Sequence, residues 1–417
     1  MEADVQQDLL ASDDERLPTT ISRANEDSSP AYWSGVFAMT LCVFSLIASE
    51  FMPVSLLTPI ADHLRISEGL AGQGIAISGA FAVFTSLFIS VLAGSLNRKT
   101  LLLGLTATMG VSGAIVAMAP NYFTYMVGRA LIGVVVGGFW SMSAAIAMRL
   151  VPLHRVPRAL AIFNGGNALA MVVAAPLGAY LGALVGWRGA FFCLVPIAII
   201  IFIWQWISLP SMPVEKRSGG MGSALNVFKL LKKRVVLMGM LAVGCFFMGQ
   251  FTLFTYVRPF LEVVAQVGIS ALPFALLVIG MAGVVGTVFI NAVLKRGFYQ
   301  TLMGIPVVMS VIAICLILFG EQAAVAMALL GAWGLVATAA PVGWWAWVPK
   351  TFPENPEASG GLMVAVIQLS IALGSTAGGL LLDARGFQSV FLGSATLLLI
   401  SALLTWRTAR ETAASVY

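Results

Sequence analysis

Residues 33–59 read WSGVFAMTLCVFSLIASEFMPVSLLTP, and this stretch decides the fold. Its one charged side chain is Glu50; every other residue is apolar, small or hydroxyl-bearing. Roughly 20 apolar residues in a helix cross the hydrocarbon of a bilayer, whereas a surface helix of a soluble protein keeps a charged face. The stretch therefore reads as a membrane span, and its pattern recurs along the chain. Apolar segments at 33–59, 70–96, 100–119, 122–150, 157–185, 189–208, 235–260, 272–294, 300–319, 323–349, 359–382 and 387–406 are separated by short polar breaks. The sequence predicts an all-α membrane protein of twelve transmembrane helices.

Composition points the same way. Of 417 residues 59% are apolar, about 246, which at roughly 20 per span suffices for about twelve helices. Charged residues make up 10% of the chain, against roughly 25% in a soluble domain. That scarcity excludes a cytosolic enzyme, a nucleic-acid-binding module and a secreted disulfide scaffold. The net charge of +5 reads as loop charge governed by insertion topology rather than as the mark of an anionic partner. Cys42, Cys193, Cys245 and Cys315 lie far apart inside apolar stretches, and His63 and His154 fall in short connections. Neither set has metal-ligand or redox spacing, so no metal and no cofactor is expected.

Residues 1–32 carry eight acids and two arginines and no apolar run, the composition of a disordered acidic tail. Residues 33–208 form a first six-helix half, 209–234 a linker rich in Pro, Gly and Lys/Arg, 235–408 a second six-helix half, and 409–417 a C-terminal tail. With both termini inside, eighteen basic residues fall on the inner side and four, Arg65, Arg188, Arg258 and Arg385, on the outer. That bias obeys the positive-inside rule and places both termini in the cytoplasm. The halves also repeat at an offset of 200 residues. Glu50-Phe51 and Pro59 align with Gln250-Phe251 and Pro259; Gly178, Gly186 and Phe191 align with Gly378, Gly386 and Phe391. Parallel pseudo-symmetric halves are a transporter architecture, with substrate bound between them.

Several motifs carry a family resemblance over about residues 33–408. They are Gly128-Arg129 with Gly133 in the fourth span, and Ala175-Pro176-Leu177-Gly178 with Gly182 and Gly186-Trp187-Arg188 in the fifth. Between the second and third spans stands Gly94-Ser-Leu-Asn97-Arg98-Lys99. With these the chain resembles the major facilitator superfamily, in its twelve-helix drug-proton antiporter branch. It departs from the family pattern at Ala175, where the family has Gly, and at Asn97, where it has an acid. Glu50-Phe-Met-Pro-Val, Gly138-Phe-Trp-Ser-Met-Ser143, Phe254-Thr-Tyr-Val-Arg-Pro259 and Pro341-Val-Gly-Trp344 are most similar to bacterial purine ribonucleoside efflux pumps. Sugar and chloramphenicol exporters share part of this set.

The individual residues carry a reading of their own. A carboxylate at bilayer depth costs about 2.5–3.5 kcal/mol on insertion scales, and low polarity disfavours its charged form. Glu50 is thus a candidate proton carrier, or a packing element neutralised by Arg129. Arg129 stays charged and needs an acid, a cavity or backbone carbonyls; the resemblance implies proton coupling, and helix bracing is the competing role. Arg258 reads first as an interfacial anchor and second as a gating residue. Gln250 holds in the second half the place of Glu50 in the first, but an amide does not titrate. Asn164, Asn167 and Gln368 offer donors and acceptors to a purine edge or ribose hydroxyl, or to a neighbouring helix. Trp140, Phe254, Tyr256, Trp344 and Trp345 are candidate stacking surfaces for a planar base, and Trp347 reads as a membrane-interface belt residue. Arg98 and Lys99 are the basic pair of the gating-loop motif, and Pro176, Gly178 and Pro259 are candidate bending points.

The expected function is proton-driven export of purine ribonucleosides across a bacterial inner membrane by alternating access. Substrate and protons are the ligands, the bilayer is the surroundings, and the chain is expected to act as a monomer without nucleic acid. A sugar or drug efflux antiporter of the same superfamily is the alternative. An enzyme would need a nucleophile–base pair or a metal site, and the sequence supplies neither.

Overall fold

A computed structural model describes residues 31–94, 96–213, 233–351 and 356–414. Most of the acidic N-terminal tail and most of the linker lie outside the described residues, as do the side chains of Asn164 and Lys350. The first half contains α1 (Trp33–Leu64), α2 (Glu68–Ala93), α3 (Arg98–Ala117), α4 (Tyr122–Leu150), α5 (Val156–Phe192) and α6 (Leu194–Ser208). The second contains α7 (Arg234–Phe254), α8 (Val257–Val263), α9 (Leu272–Arg296), α10 (Phe298–Phe319), α11 (Ala323–Ala337), α12 (Ala339–Thr351), α13 (Pro356–Arg385) and α14 (Phe387–Ala414). The α7–α8 and α11–α12 pairs each form one long apolar unit, Arg234–Val263 and Ala323–Val348. Among the described residues eleven helical units are long and apolar enough to cross a membrane, and Leu194–Ser208 is a shorter apolar twelfth.

The shortness of α6 has a local cause. Gly186, with φ 73° and ψ 165°, is non-helical inside α5, a backbone region open essentially to glycine alone. The chain turns there, and Trp187–Phe192 leads into α6. Gly386, 200 residues on, also has positive φ, at 76°, and separates α13 from α14. Short polar residues set other boundaries: the Ser67 side chain accepts from Leu70 N at the start of α2, and Asn121 accepts from Thr124 N at the start of α4. Such caps satisfy the orphan donors of a first turn.

The repeat is visible in packing as well. A Cβ added at Gly178 would collide with Ser55 and Met52 of α1, and one added at Gly378 with Thr252 and Tyr256 of the α7–α8 unit. The same pair of helices thus meets closely in each half, at positions 200 apart. Phe191 and Phe391 are both fully buried. Many large apolar side chains face outward instead, among them Phe123, Ile207, Val288, Leu318 and Leu380. A soluble protein avoids such a continuous apolar exterior; a bilayer requires it.

Candidate functional site

The site is built on the two prolines of α1. Proline has no N–H, so the carbonyl four residues earlier loses its helical donor. Pro53 in this way frees the Ser49 carbonyl, and Pro59 frees that of Ser55. Arginine fills both vacancies. Arg129 of α4 donates from Nη1 to the Ser49 carbonyl at 2.7 Å, from Nη2 to the Glu50 carbonyl at 2.7 Å and from Nε to the Gly74 carbonyl of α2 at 3.0 Å. It is fully buried. Its donors therefore brace α1, α2 and α4 within one half rather than pairing with the Glu50 side chain. Arg258 of α8 donates from Nη1 to the Ser55 carbonyl, and that contact crosses from one half to the other.

The Glu50 carboxylate is 3% exposed. Its partner is Gln368 of α13, whose Nε2 donates to Glu50 Oε1 at 3.1 Å. Gln368 is itself 8% exposed. Beside this pair Phe51 stacks on Phe251, with ring centroids 5.6 Å apart, and Phe254 meets Phe251 edge-on at 6.1 Å. Gln250, 6% exposed, lies at the matching level of α7, and its buried Oε1 has no hydrogen-bond partner. The structure thus brings together Glu50, Gln368, Gln250 and Phe254 of the expected residues, and adds Phe51 and Phe251.

Further along α1, toward its end and the start of α2, the halves are joined by polar contacts. Glu262 pairs with Arg258, with Oε1 at 2.8 Å from Nη2 and 2.9 Å from Nε. The Thr58 hydroxyl lies 2.5 Å from Glu262 Oε2 and 3.1 Å from Glu68 Oε1. Asp383 of α13 accepts from the Ser67 hydroxyl at 2.6 Å and from Gly69 N at 3.2 Å, and the Thr376 hydroxyl donates to Gln73 at 3.0 Å. Among the described residues, every hydrogen bond between the halves belongs to this end or to the Glu50–Gln368 level.

The interfacial reading of Arg258 needs correction: it is buried and spends its donors on Glu262 and Ser55. Trp347 is likewise no belt residue. It is fully buried, its ring fills the space beside Gly239, and Trp344 packs on it edge-to-face at 6.0 Å. Both corrections have one origin, because hydropathy locates a residue along a helix and not around it. Tyr256 is buried and donates to the Ser375 carbonyl at 2.7 Å, a contact between α7–α8 and α13. Trp140 is half-buried against Phe139, Asn167 is half-buried, and Trp345 is 44% exposed. None of the three touches the Glu50 cluster through a hydrogen bond or ring contact. Pro176 lies inside α5 beside the Gly178 contact. At the gating-loop motif Asn97 caps α3, accepting from Lys99 N at 2.9 Å, and holds the start of the linker through Met212 N at 3.1 Å and Ser211 Oγ at 2.7 Å. Arg98 adds a backbone bond to Met212 O at 3.0 Å.

Sequence reasoning missed Phe51, Phe251, Thr58, Gln73, Thr376 and Asp383. The first two had a signal, since they are the aromatic members of the repeated Glu50-Phe51/Gln250-Phe251 pair. The other four sit near helix ends in ordinary polar surroundings, where sequence offers nothing to distinguish them.

The sequence profile described as "Major Facilitator Superfamily" matches residues 39–363. The chain is 64% identical over 394 residues to a Pseudomonas aeruginosa protein named "Transcription regulatory protein OpdE", covering 94% of this chain and 98% of that one. It is 40% identical over 372 residues to the Escherichia coli (strain K12) "Purine ribonucleoside efflux pump NepI", covering 89% and 93%. A solved structure of the nucleoside transporter NupG (D323A mutant) superposes with a TM-score of 0.72 at 13% identity, covering 90% of this chain and 99% of that one. A bacterial homologue of the lysosomal transporter Spinster superposes at 0.70 and 13%, covering 92% and 98%. The chain belongs to the Major Facilitator Superfamily, a family of transporters and not of enzymes.

Proposed function

We propose that the protein exports purine ribonucleosides across the inner membrane in exchange for protons, with Glu50 carrying the proton and the two halves rocking about the Glu50–Gln250 level. The observation that carries the substrate class is the 40% identity, over 89% of the chain, to a protein named as a purine ribonucleoside efflux pump. Proton coupling is supported by Glu50, an acid buried between the halves at the middle of α1. The stacked Phe51 and Phe251 and the amide of Gln250 offer a planar base an aromatic face and a polar edge. One proton moving inward contributes about 2.3 kcal/mol per 100 mV, which sustains a substrate gradient of roughly fifty-fold.

In this reading the polar contacts at the α1–α2 end form the closed outer gate, and substrate enters from the cytoplasmic side. A relative named for transcription is compatible with it, because export of an inducing solute alters gene expression without contact to DNA. The test is transport in proteoliposomes with a pH gradient of either sign. Labelled inosine is expected to accumulate in vesicles with an acidic lumen as protons leave. Accumulation only with an alkaline lumen would show symport and overturn the exchange. Accumulation of arabinose or chloramphenicol in place of inosine would move the cargo to the sugar or drug class.

A further inference from the structure

We infer that Gln368 is the positioning residue through which the opposite half of the protein reads the charge on Glu50. The inference rests on the proton-coupling proposal above and assigns a regulation to the same site. Glu50 on α1 and Gln368 on α13 are 318 residues apart in sequence, yet they share a 3.1 Å hydrogen bond inside the protein. Arg129, the expected partner of Glu50, is committed elsewhere: Nε, Nη1 and Nη2 each serve a backbone carbonyl of its own half. Arg129 is thus a fixed positive charge beside Glu50 that makes no tie to the other half.

The groups facing the carboxylate follow from this. From within the half it is Arg129. From the other half comes the neutral Gln368. Among the described residues no charged group of the second half forms an ion pair with Glu50. An amide bonded to an ionised carboxylate makes a charge-assisted bond, roughly twice as strong as one between neutral partners. Loading a proton on Glu50 therefore loosens a tie between the halves, and releasing it tightens that tie. The neighbouring central contacts do not respond in this way. The Phe51–Phe251 stack is apolar, and Gln250 carries no titratable proton. Proton exchange at Glu50 and the relative position of the halves become one event, with Gln368 as the link.

The experiment compares two rates for labelled inosine in proteoliposomes: transport driven by a pH gradient, and gradient-free exchange against unlabelled inosine. Their ratio cancels differences in the amount of folded protein. In Gln368→Leu the ratio is expected to fall to about one, from a wild-type value of roughly tenfold. A wild-type ratio combined with a raised KM in exchange would make Gln368 a substrate ligand and overturn the inference. If Gln368→Leu loses exchange as well, the double variant Glu50→Gln with Gln368→Glu decides, because it keeps one carboxyl and one amide in the same contact. A ratio restored above one supports the link, and a ratio of one refutes it. Glu50→Gln alone separates the two layers of the argument. A wild-type ratio there would remove the proton-coupling proposal itself; a collapsed ratio there, with a retained one in Gln368→Leu, would remove only the role of Gln368.

Discussion

The two halves place equivalent residues at the same level and use them differently. Glu50-Phe51 and Gln250-Phe251 face one another 200 residues apart, their phenyl rings stacked at 5.6 Å. Around them the frame is shared: Gly178 against α1, Gly378 against α7, and positive-φ glycines at 186 and 386. The chemistry is not shared. In the first half Pro53 frees the Ser49 carbonyl, and a buried arginine occupies it. In the second half the corresponding residue is Leu253, and the Gly249 carbonyl accepts the Ser394 hydroxyl at 2.6 Å. At this level the first half carries a buried acid and base and the second hydroxyls and amides, while the second half's buried Arg258–Glu262 pair lies farther along, at the α1–α2 end. In the proposed mechanism, this repeated scaffold lets one half titrate while the other follows.

The largest expected break in that comparison is Arg129→Leu. It leaves the buried Ser49 carbonyl, already deprived of its helical donor by Pro53, without a partner, at about 1–3 kcal/mol, and removes the charge-assisted second bonds to the Glu50 and Gly74 carbonyls. A loss of about 3 kcal/mol or more is expected in detergent unfolding, with no counterpart for any single residue of the second half. Adding Pro53→Ala returns an N–H to Ser49 and should recover about 1 kcal/mol of it in a double-mutant cycle. Next come Gly186→Ala and Gly386→Ala, which probe the shared frame. Forcing a side chain into such backbone regions costs about 1–3 kcal/mol, and near-equal falls in melting temperature would show the repeat to be energetic as well as geometric.

Arg258→Ala sharpens a different contrast, between an arginine that braces its own half and one that reaches across. Loss of its charge-assisted contacts, worth about 1.5 kcal/mol, should speed maleimide labelling of a cysteine at Thr376 roughly tenfold in a cysteine-free background. An unchanged rate would show that the Ser55 contact does not hold the halves together. The smallest effect belongs to Gln250→Leu. Its buried Oε1 lacks a partner, so an apolar replacement of similar size should leave stability unchanged or raise it by about 1 kcal/mol, measured by thermal unfolding.

The fold was largely legible in the sequence because the bilayer imposes a length and a polarity on every span. The twelve spans and the 200-residue repeat follow from that constraint and from glycines that admit a close neighbour. The site was legible along each helix but not around it. Glu50 and Arg129 stood out as costly charges, but their mutual partnership did not follow, because the carbonyls that Pro53 leaves open take the arginine instead. Trp347 and Arg258 were misread for the same reason, since distance from a span end carries no information on which face is covered. Asp383 and Thr58 join the halves through partners in the opposite half, and single-sequence patterning has no access to such pairs.

The central claim is that the proton travels on Glu50 and that no equivalent exists in the second half. Labelled inosine transport in proteoliposomes containing Glu50→Gln tests it most directly, with driven transport and gradient-free exchange measured side by side. Exchange is expected to persist while the response to an imposed pH gradient disappears. A Glu50→Gln protein that still concentrates inosine against its gradient as well as the wild type would contradict it.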